Sequence, residues 1–417
     1  MKVASAEQEN LFNAGMITME RIMSDPDWLG RQPTAAYWAD DSDSVYYSRK
    51  RDGSVVTDLY NQPLSGASNG TKVDDMSLWQ VSYRRRVVNA SGTKAAWVYQ
   101  GNLFVKDLTT QVVQQVTRGQ AKESSPQFLN DGRVAYRVSN TFFAVDLGSG
   151  YTVELADLKT ADAPKGLQEP SDYVAKEQQK LITFVQVQRK NKKDRADREK
   201  EISKVDKSQE SKPFYFGKGN SIDSMSLSPN GRYMIVAVSK TSSWREKGDI
   251  MPNYVAEDGR VHAVPVRRRV ADAKSEGQTL WFIDIKAHSK TELSFTSLPG
   301  FNEDVLAEVK KEVAARDGKE YEVNRLPRDI NLITDWYWSQ SPIQWHQDGD
   351  TVAVMLEAWD NKDRWIATAS GGDKSLTTQH RYHDDAWVNY KLNSFGWLKG
   401  TQDLYYLSEE SGYAQLY

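Results

Sequence analysis

An all-β fold built from repeated four-stranded units is predicted by three features of the chain. Short runs rich in Val, Tyr, Phe and Trp alternate apolar with polar residues, Asn-Gly and Asp-Gly dipeptides separate many of them, and the resulting hairpins recur along almost the whole length. The clearest unit runs from Ser125 to Leu155: an entry strand, the turn Asn130–Asp131–Gly132, a strand to Val138, the turn Ser139–Asn140, a strand to Leu147, and a last strand after Gly150. Four short strands in about thirty residues describe one blade of a β-propeller.

Five further stretches can be laid on that unit: Ala36–Leu59, Val87–Val116, Met225–Leu293, Ile343–Leu376 and Phe395–Tyr417. Six blades or partial blades are therefore expected. The turn glycines Gly92, Gly132, Gly231, Gly349 and Gly400 are unevenly spaced, which implies insertions between or within blades rather than a regular tandem array.

Two insertions read as helices. From Ser171, the expected N-cap, a segment carries Val174, Leu181 and Val185 at helical spacing before turning wholly polar, placing an insertion near 171–206. A second is expected over Glu303–Arg316, capped by Asn302 and stopped by Gly318, with Val305, Val309 and Val313 on one face, within 303–317. A further helix over Glu7–Met23 ends before Pro26, so residues 1–30 read as a helical lead-in and 31–417 as the propeller.

Composition excludes several classes. The 417 residues contain no cysteine, so there are no disulfide staples and no thiolate chemistry. Lys and Arg number 54 against 57 Asp and Glu, for a net charge of −3, which offers no basic footprint for nucleic acid. Apolar stretches such as Met234–Val238 and Val352–Leu356 are far shorter than the roughly twenty residues of a membrane span. With 13 Trp, 20 Tyr and 12 Phe the chain can close a large core. The start, MKVASAEQEN, shows no signal peptide, and the compartment stays open.

Several patterns of chemistry-bearing residues depend on their context. Gly66–Ala67–Ser68–Asn69–Gly70 has the spacing of a nucleophile elbow, which requires a strand before the serine and a helix after it. Asn61–Leu64 reads as too short for that strand and the sequel as polar, so a turn is expected. His262, His288, His346, His380 and His383 occupy strand or turn settings and are expected to be structural. The run His380–Asp385 falls between strand units, where two histidines three apart do not share a face, so no metal site is expected. Asp40, Asp41 and Asp43 lack the glycine and final glutamate of a calcium loop and read as a solvated turn. Arg189–Lys200, with seven basic and three acidic residues, reads as an exposed helix end.

A family likeness is carried by MITMERIMSDPDWLG, SLSPNGRYMIVAVS, MPNYVAEDGRVHAVPVRRRVADA, DNKDRWIA, DDAWVNYKLNSFGWL and LYYLSEESGYAQLY, taken in order. Together they resemble the N-terminal region of bacterial prolyl oligopeptidase family serine peptidases of the dipeptidyl peptidase IV type. The resemblance implies a propeller of seven or eight blades that covers the active-site face of a C-terminal α/β-hydrolase domain and admits short or unfolded peptides. It implies serine-type proteolysis by the parent protein, with serine, acid and histidine all after the propeller, and therefore no catalytic residue in this chain. No metal or organic cofactor is implied. An exported, periplasmic parent is what the resemblance suggests, with a cytoplasmic one left open, as is homo-oligomerisation. With about six blades covered, an open ring with exposed apolar flanks and a tendency to associate is expected.

In such peptidases a short helix inserted in the propeller carries adjacent glutamates that pair with the substrate's N-terminal ammonium. The matching stretch is DYVAKEQQK, which makes Glu177 the candidate substrate-binding residue, between Lys176 and Gln178. Lys176 lowers the negative potential there. The alternative from another class is a free-standing propeller acting as a protein or peptide scaffold.

Overall fold

The computed structural model describes residues 17–24, 26–65, 70–166, 170–206, 208, 212–241, 249–266, 276–335 and 339–417. The chain divides into two compact units, Met1–Pro126 and Gln127–Tyr417. Both consist mainly of antiparallel sheets whose strands follow one another in sequence order, as in a propeller-like all-β fold.

In the first unit, Thr34–Trp38 (β1), Ser44–Lys50 (β2), Thr57–Pro63 (β3) and Thr71–Lys72 (β4) form one sheet in that order. Val87–Val88 (β5), Lys94–Tyr99 (β6), Asn102–Asp107 (β7) and Val113–Gln115 (β8) form the next. An aromatic cluster joins them. Trp97 and Phe104 stack at 6.0 Å, Tyr83 meets Trp97 edge-on at 5.8 Å, and Tyr37 and Tyr46 stack at 5.4 Å against the same group. Asp40 departs from the solvated-turn expectation. Its side chain is buried between Arg86 and Lys106, the latter at 2.6 Å, because β7 brings Lys106 from far along the chain to face the β1–β2 turn. Asp41 does act as a turn residue, accepting from the backbone N–H of Asp43 and Ser44.

The division between units falls within Glu123–Phe128 (β9). The third sheet runs through β9, Val134–Val138 (β10), Thr141–Val145 (β11), Thr152–Lys159 (β12) and, parallel to β12, Phe214–Tyr215 (β13). The fourth comprises Asn220–Leu227 (β14), Tyr233–Lys240 (β15), Thr279–Asp284 (β18) and Ser289–Leu293 (β19). Between β15 and β18 a separate hairpin of Ile250–Asn253 (β16) and His262–Pro265 (β17) is inserted. The fifth has Ile330–Leu332 (β20) and Ile343–Trp345 (β21) both on Thr351–Ala358 (β22), followed by Asp363–Ser370 (β23) and Thr377–His383 (β24). Phe395–Trp397 (β25), Leu404–Ser408 (β26) and Gln415–Leu416 (β27) make the sixth. All six stretches expected as blades thus carry their own sheets.

Side-chain alternation along a strand decides which neighbour each residue meets. On β15, Tyr233, Ile235 and Ala237 join Val352, Val354 and Trp365 of the fifth sheet. Their neighbours Met234, Val236 and Val238 join Phe142, Leu155 and Leu158 of the third. On β22 the split repeats: Val352, Val354 and Leu356 serve the fourth sheet, whereas Ala353 and Met355 meet Phe395 of the sixth. A strand with both faces covered has no need of polar residues, which is why MIVAV and VAVML read as unbroken apolar runs.

Equivalent turns lock the same sheets together. The backbone N–H of Asn130 donates to Pro229 O at 2.8 Å, the Asn130 amide to Gln347 O at 3.1 Å, and the Asn230 amide to Asp348 O at 3.4 Å. Gly349 has φ +75°, and a Cβ there would lie 2.6 Å from Asn230 N, so the close approach of the two turns requires glycine. Trp345 donates to Ser226 Oγ at 3.1 Å and Trp397 to Gln344 O at 2.9 Å.

The helices differ from their expected bounds. Where a helix is expected over Glu7–Met23, Met19–Met23 (α1) is helical and starts at the Thr18 cap, whereas Ile17 and Thr18 are not helical; residues 1–16 lie outside the described residues. Leu78–Val81 (α2) is a single turn in the first unit. The first insertion breaks at Ile182 into Tyr173–Leu181 (α3) and Thr183–Val205 (α4). Its cap is Asp172 rather than Ser171, since the Asp172 carboxylate accepts from Ala175 N at 2.8 Å. Ala307–Arg316 (α5) starts a turn later than expected and has no side-chain cap. Asp304, next to the expected helix start, instead takes Lys310 at 2.8 Å, with Tyr321 and Asn324 N. Val309 and Val313 are exposed, so this face is not core.

Candidate functional site

The helical arm leaves the third sheet after Lys159 and returns at Phe214, where β13 pairs with Leu158 and Lys159 of β12. Both ends of the arm are thereby fixed to one sheet edge. Along the arm, the described residues of α3 contribute none to the buried core, and Tyr173, Val174, Leu181 and Phe184 are exposed. Val174 and Leu181, expected as a packing stripe, therefore face solvent, and Val185 is half-buried.

Glu177 lies midway along α3, its side chain 35% exposed. Its Oε1 is 2.8 Å from Lys180 Nζ, one turn on. Such a solvent-exposed i,i+3 pair is worth only about 0.3–0.5 kcal/mol, so an incoming ammonium can displace Lys180 at small cost. Lys176 is exposed beside it. The arrangement supplies one carboxylate with a replaceable cation on a helix tied to a sheet edge.

Ser68 lies outside the described residues. The strand before it is present, contrary to expectation, as β3. But β3 pairs antiparallel with β4, Tyr60 opposite Lys72 and Asn61 opposite Thr71, so the chain turns into a hairpin and not into the helix an elbow needs.

His380–His383 lies within β24, not between strands as expected, because β23 extends its pairing to Asp363 opposite His383. His380 is held between Tyr382 and Tyr406, each ring centroid 4.4 Å away, and burial pushes its imidazole below the ordinary range. His383 meets Asp363 at 2.8 Å. His346 is buried, 2.8 Å from Thr401 O through Nε2 and the same distance from Asp348 through Nδ1. His262 pairs with Asp258, and His288 stacks on Phe214 at 4.4 Å. Every histidine is thus engaged by a carboxylate, a carbonyl or a ring, and none by a serine hydroxyl among the described residues. No group of three or more His, Asp or Glu among the described residues is arranged to hold a metal ion, and no described helix is long and apolar enough to cross a membrane.

Sequence reasoning missed the buried carboxylate Asp363. Its side chain is fully inaccessible and accepts from Arg328 Nη1 at 2.5 Å, Arg381 Nε at 2.7 Å and His383 Nδ1 at 2.8 Å. Arg328 also grips Asp360 through Nε and Nη2 at 2.9 and 2.6 Å, and Arg381 reaches Glu303 at 3.0 Å. Asp363 stands in an unbroken polar run, Asp360–Arg364, which carries no local sign of burial.

No family model matches the chain, and no curated protein does. Among solved structures it is similar to Porphyromonas gingivalis dipeptidyl peptidase 4, with 13% identity and a TM-score of 0.47, over 96% of this chain and 47% of that one. It is also similar to a putative dipeptidyl aminopeptidase IV from Bacteroides ovatus ATCC 8483, with 10% identity and a TM-score of 0.41, over 90% of this chain and 41% of that one. The chain spans less than half the length of either.

Proposed function

We propose that the chain is the propeller portion of a serine peptidase of the dipeptidyl peptidase IV type, and that it limits peptide access to, and orients substrate for, an α/β-hydrolase domain carried elsewhere on the polypeptide. In this reading it contributes no bond-breaking group. The hydrolase domain supplies the serine nucleophile, the histidine base and the oxyanion hole for acyl transfer. The observation that carries the reading is the helical arm tied at both ends to the third blade. It contains the stretch DYVAKEQQK, which resembles the inserted helix of such peptidases, and it presents Glu177.

The role of Glu177 follows from charge. An N-terminal ammonium that replaces Lys180 at the carboxylate fixes one end of the peptide, and the rest of the chain then reaches the nucleophile in one register. Uniform binding of that kind lowers KM and leaves kcat unchanged.

The test uses the polypeptide translated from the whole gene, with a dipeptidyl p-nitroanilide as substrate. Glu177→Gln is expected to raise KM about tenfold with kcat little changed, and Lys180→Met to lower KM, because the competing cation is gone. Blocking the substrate's N-terminus should abolish the difference between wild type and variant. Unchanged KM in both variants, or an equal effect on blocked substrate, would overturn the role given to Glu177. A reading frame that stops at Tyr417 would favour the scaffold alternative over the peptidase.

A further inference from the structure

A cavity of about 680 Å³ opens at the end of the fourth sheet where β15 finishes and β18 begins, all within the second unit. Its size falls in the range of small-molecule sites, roughly 300–1,000 Å³. Its walls are aromatic: Phe216, Trp281, Phe295 and Phe301 line it, with Phe216 and Trp281 meeting edge-on at 6.2 Å.

The charge on the lining is unbalanced. Glu276, Glu292 and Asp329 line the cavity, and none of their three carboxylates has a hydrogen-bond or ion-pair partner among the described residues. Glu292 is the cross-strand partner of Trp281, so its carboxylate rises on the same sheet face as the indole. Asp329 borders Gly277, next to Glu276: its Oδ1 lies 3.1 Å from where a Cβ on Gly277 would sit. Arg328 also lines the cavity but cannot neutralise them, because its guanidinium is committed to Asp360 and Asp363 and is only 6% exposed. Among the described lining residues Lys240, at the exposed end of β15, is the other cation, and the Lys290 ammonium adds a further positive charge behind the aromatic wall.

The aromatic wall already accommodates one ammonium. Lys290 Nζ stands 4.6 Å from the Phe216 ring centroid and 4.4 Å from that of Trp281, and also donates to Tyr215 O. Ring faces attract cations, and more strongly where water is excluded. The three carboxylates are not gathered as a metal ion requires. Separated acids around an apolar, aromatic space suit a cation whose charge sits on an organic body.

We infer that this cavity binds an organic cation, an ammonium or guanidinium group carried on an aromatic or aliphatic body, with the apolar part against Phe295 and Phe301 and the charge toward Glu292 and Asp329. A free amine and a basic peptide side chain share this chemistry. The inference stands apart from the peptidase reading and from Glu177, which lies on the helical arm of the third sheet.

The test is fluorine NMR titration of the 417-residue chain with 4-fluorobenzylamine, 4-fluorobenzyl alcohol and 4-fluorobenzoate, three bodies of one shape and different charge. The amine is expected to bind at least tenfold more tightly than either of the others, with affinity falling as salt rises. Glu292→Gln combined with Asp329→Asn should weaken amine binding tenfold or more while leaving the melting curve unchanged, since neither carboxylate has a partner among the described residues to lose. Should the double variant fail to fold, Glu292→Gln alone, at an exposed strand position, is expected to weaken it severalfold. Agmatine and an arginine-containing tripeptide amide, used as competitors, separate the sources: displacement by both indicates a site open to peptides, and displacement by agmatine alone a site for free amines. Equal binding of the three fluorinated probes, no binding of the amine, or full affinity in the variants would overturn the inference.

Discussion

Asp363→Asn is expected to destabilise the unit Gln127–Tyr417 by about 3–5 kcal/mol, the cost of removing one partner from a buried ion pair. The Asp363 side chain is inaccessible, and its two oxygens take hydrogen bonds from Arg328, Arg381 and His383. An asparagine of the same shape keeps one acceptor but turns an amide N–H₂ toward a guanidinium, so a repulsive contact replaces an attractive one inside the fold. Arg328 retains Asp360 and Arg381 retains Glu303, which places the loss toward the lower end of the range. Arg381→Lys, which keeps the charge but loses the Nε donor, should cost less.

The same carboxylate predicts a pH dependence. Burial pushes the Asp363 carboxyl up, but hydrogen bonds from Arg381, Arg328 and His383, together with the Arg328 charge, outweigh burial and hold it below the ordinary range. A group depressed in the folded state gives stability that is fully present above its unfolded value, about 3.9 for aspartate, and is lost as pH falls through the folded value. Wild type should therefore lose stability steeply below about pH 4, and Asp363→Asn less steeply, so that the two converge in acid. Urea melts followed by circular dichroism at pH 7 and pH 3 measure this. A constant gap between the two proteins at both pH values would show that Asp363 acts through shape and not through charge.

Trp97→Ala carries the second large effect, on the unit Met1–Pro126. Trp97 is 1% exposed, stacks on Phe104, meets Tyr83 edge-on, and donates from Nε1 to Trp79 O at 3.3 Å. Truncation removes the ring against which Phe104 and Tyr83 pack, Tyr83 being the residue that meets Tyr37 and Tyr46 of the first sheet, and strands the carbonyl of Trp79. A loss of about 3–5 kcal/mol is expected, against roughly 1–2 for Trp97→Phe, which keeps a ring but not the N–H. Pulse proteolysis that follows cleavage within residues 1–126 reads both. Similar losses for Ala and Phe would mean that the hydrogen bond, not the packing, holds this site.

How much of this was written in the chain follows from the range of each interaction. Blade turns are local: Asn130–Asp131–Gly132 and Asn230–Gly231 need only their own backbone preferences, so all six sheets could be placed from turns and alternation. The unbroken runs at Met234–Val238 and Val352–Leu356 even report that both faces of β15 and β22 are covered. What escaped depends on distant partners. Asp40 reads as a turn acid until Arg86 and Lys106 arrive, and Asp363 as a surface acid until Arg328 and Arg381 close over it. The cavity escaped because Trp281, Phe301 and Asp329 share no local pattern. The start of α3 is not legible because Ser171 and Asp172 are both good caps by residue type, and only the bond from Ala175 N decides between them. Glu177 was placed by resemblance, and the pairing with Lys180 is what the fold adds.

If, as proposed, these 417 residues gate and orient substrate for a peptidase, the bond-breaking serine lies elsewhere on the polypeptide. Fluorophosphonate labelling of this chain, run beside the translation product of the whole gene and followed by peptide mapping, tests it most directly. No label is expected on the 417-residue chain, and a single labelled serine in the longer product, beyond residue 417. Label on Ser68, or on any other serine within the chain, would contradict it, as would a longer product that takes no label at all.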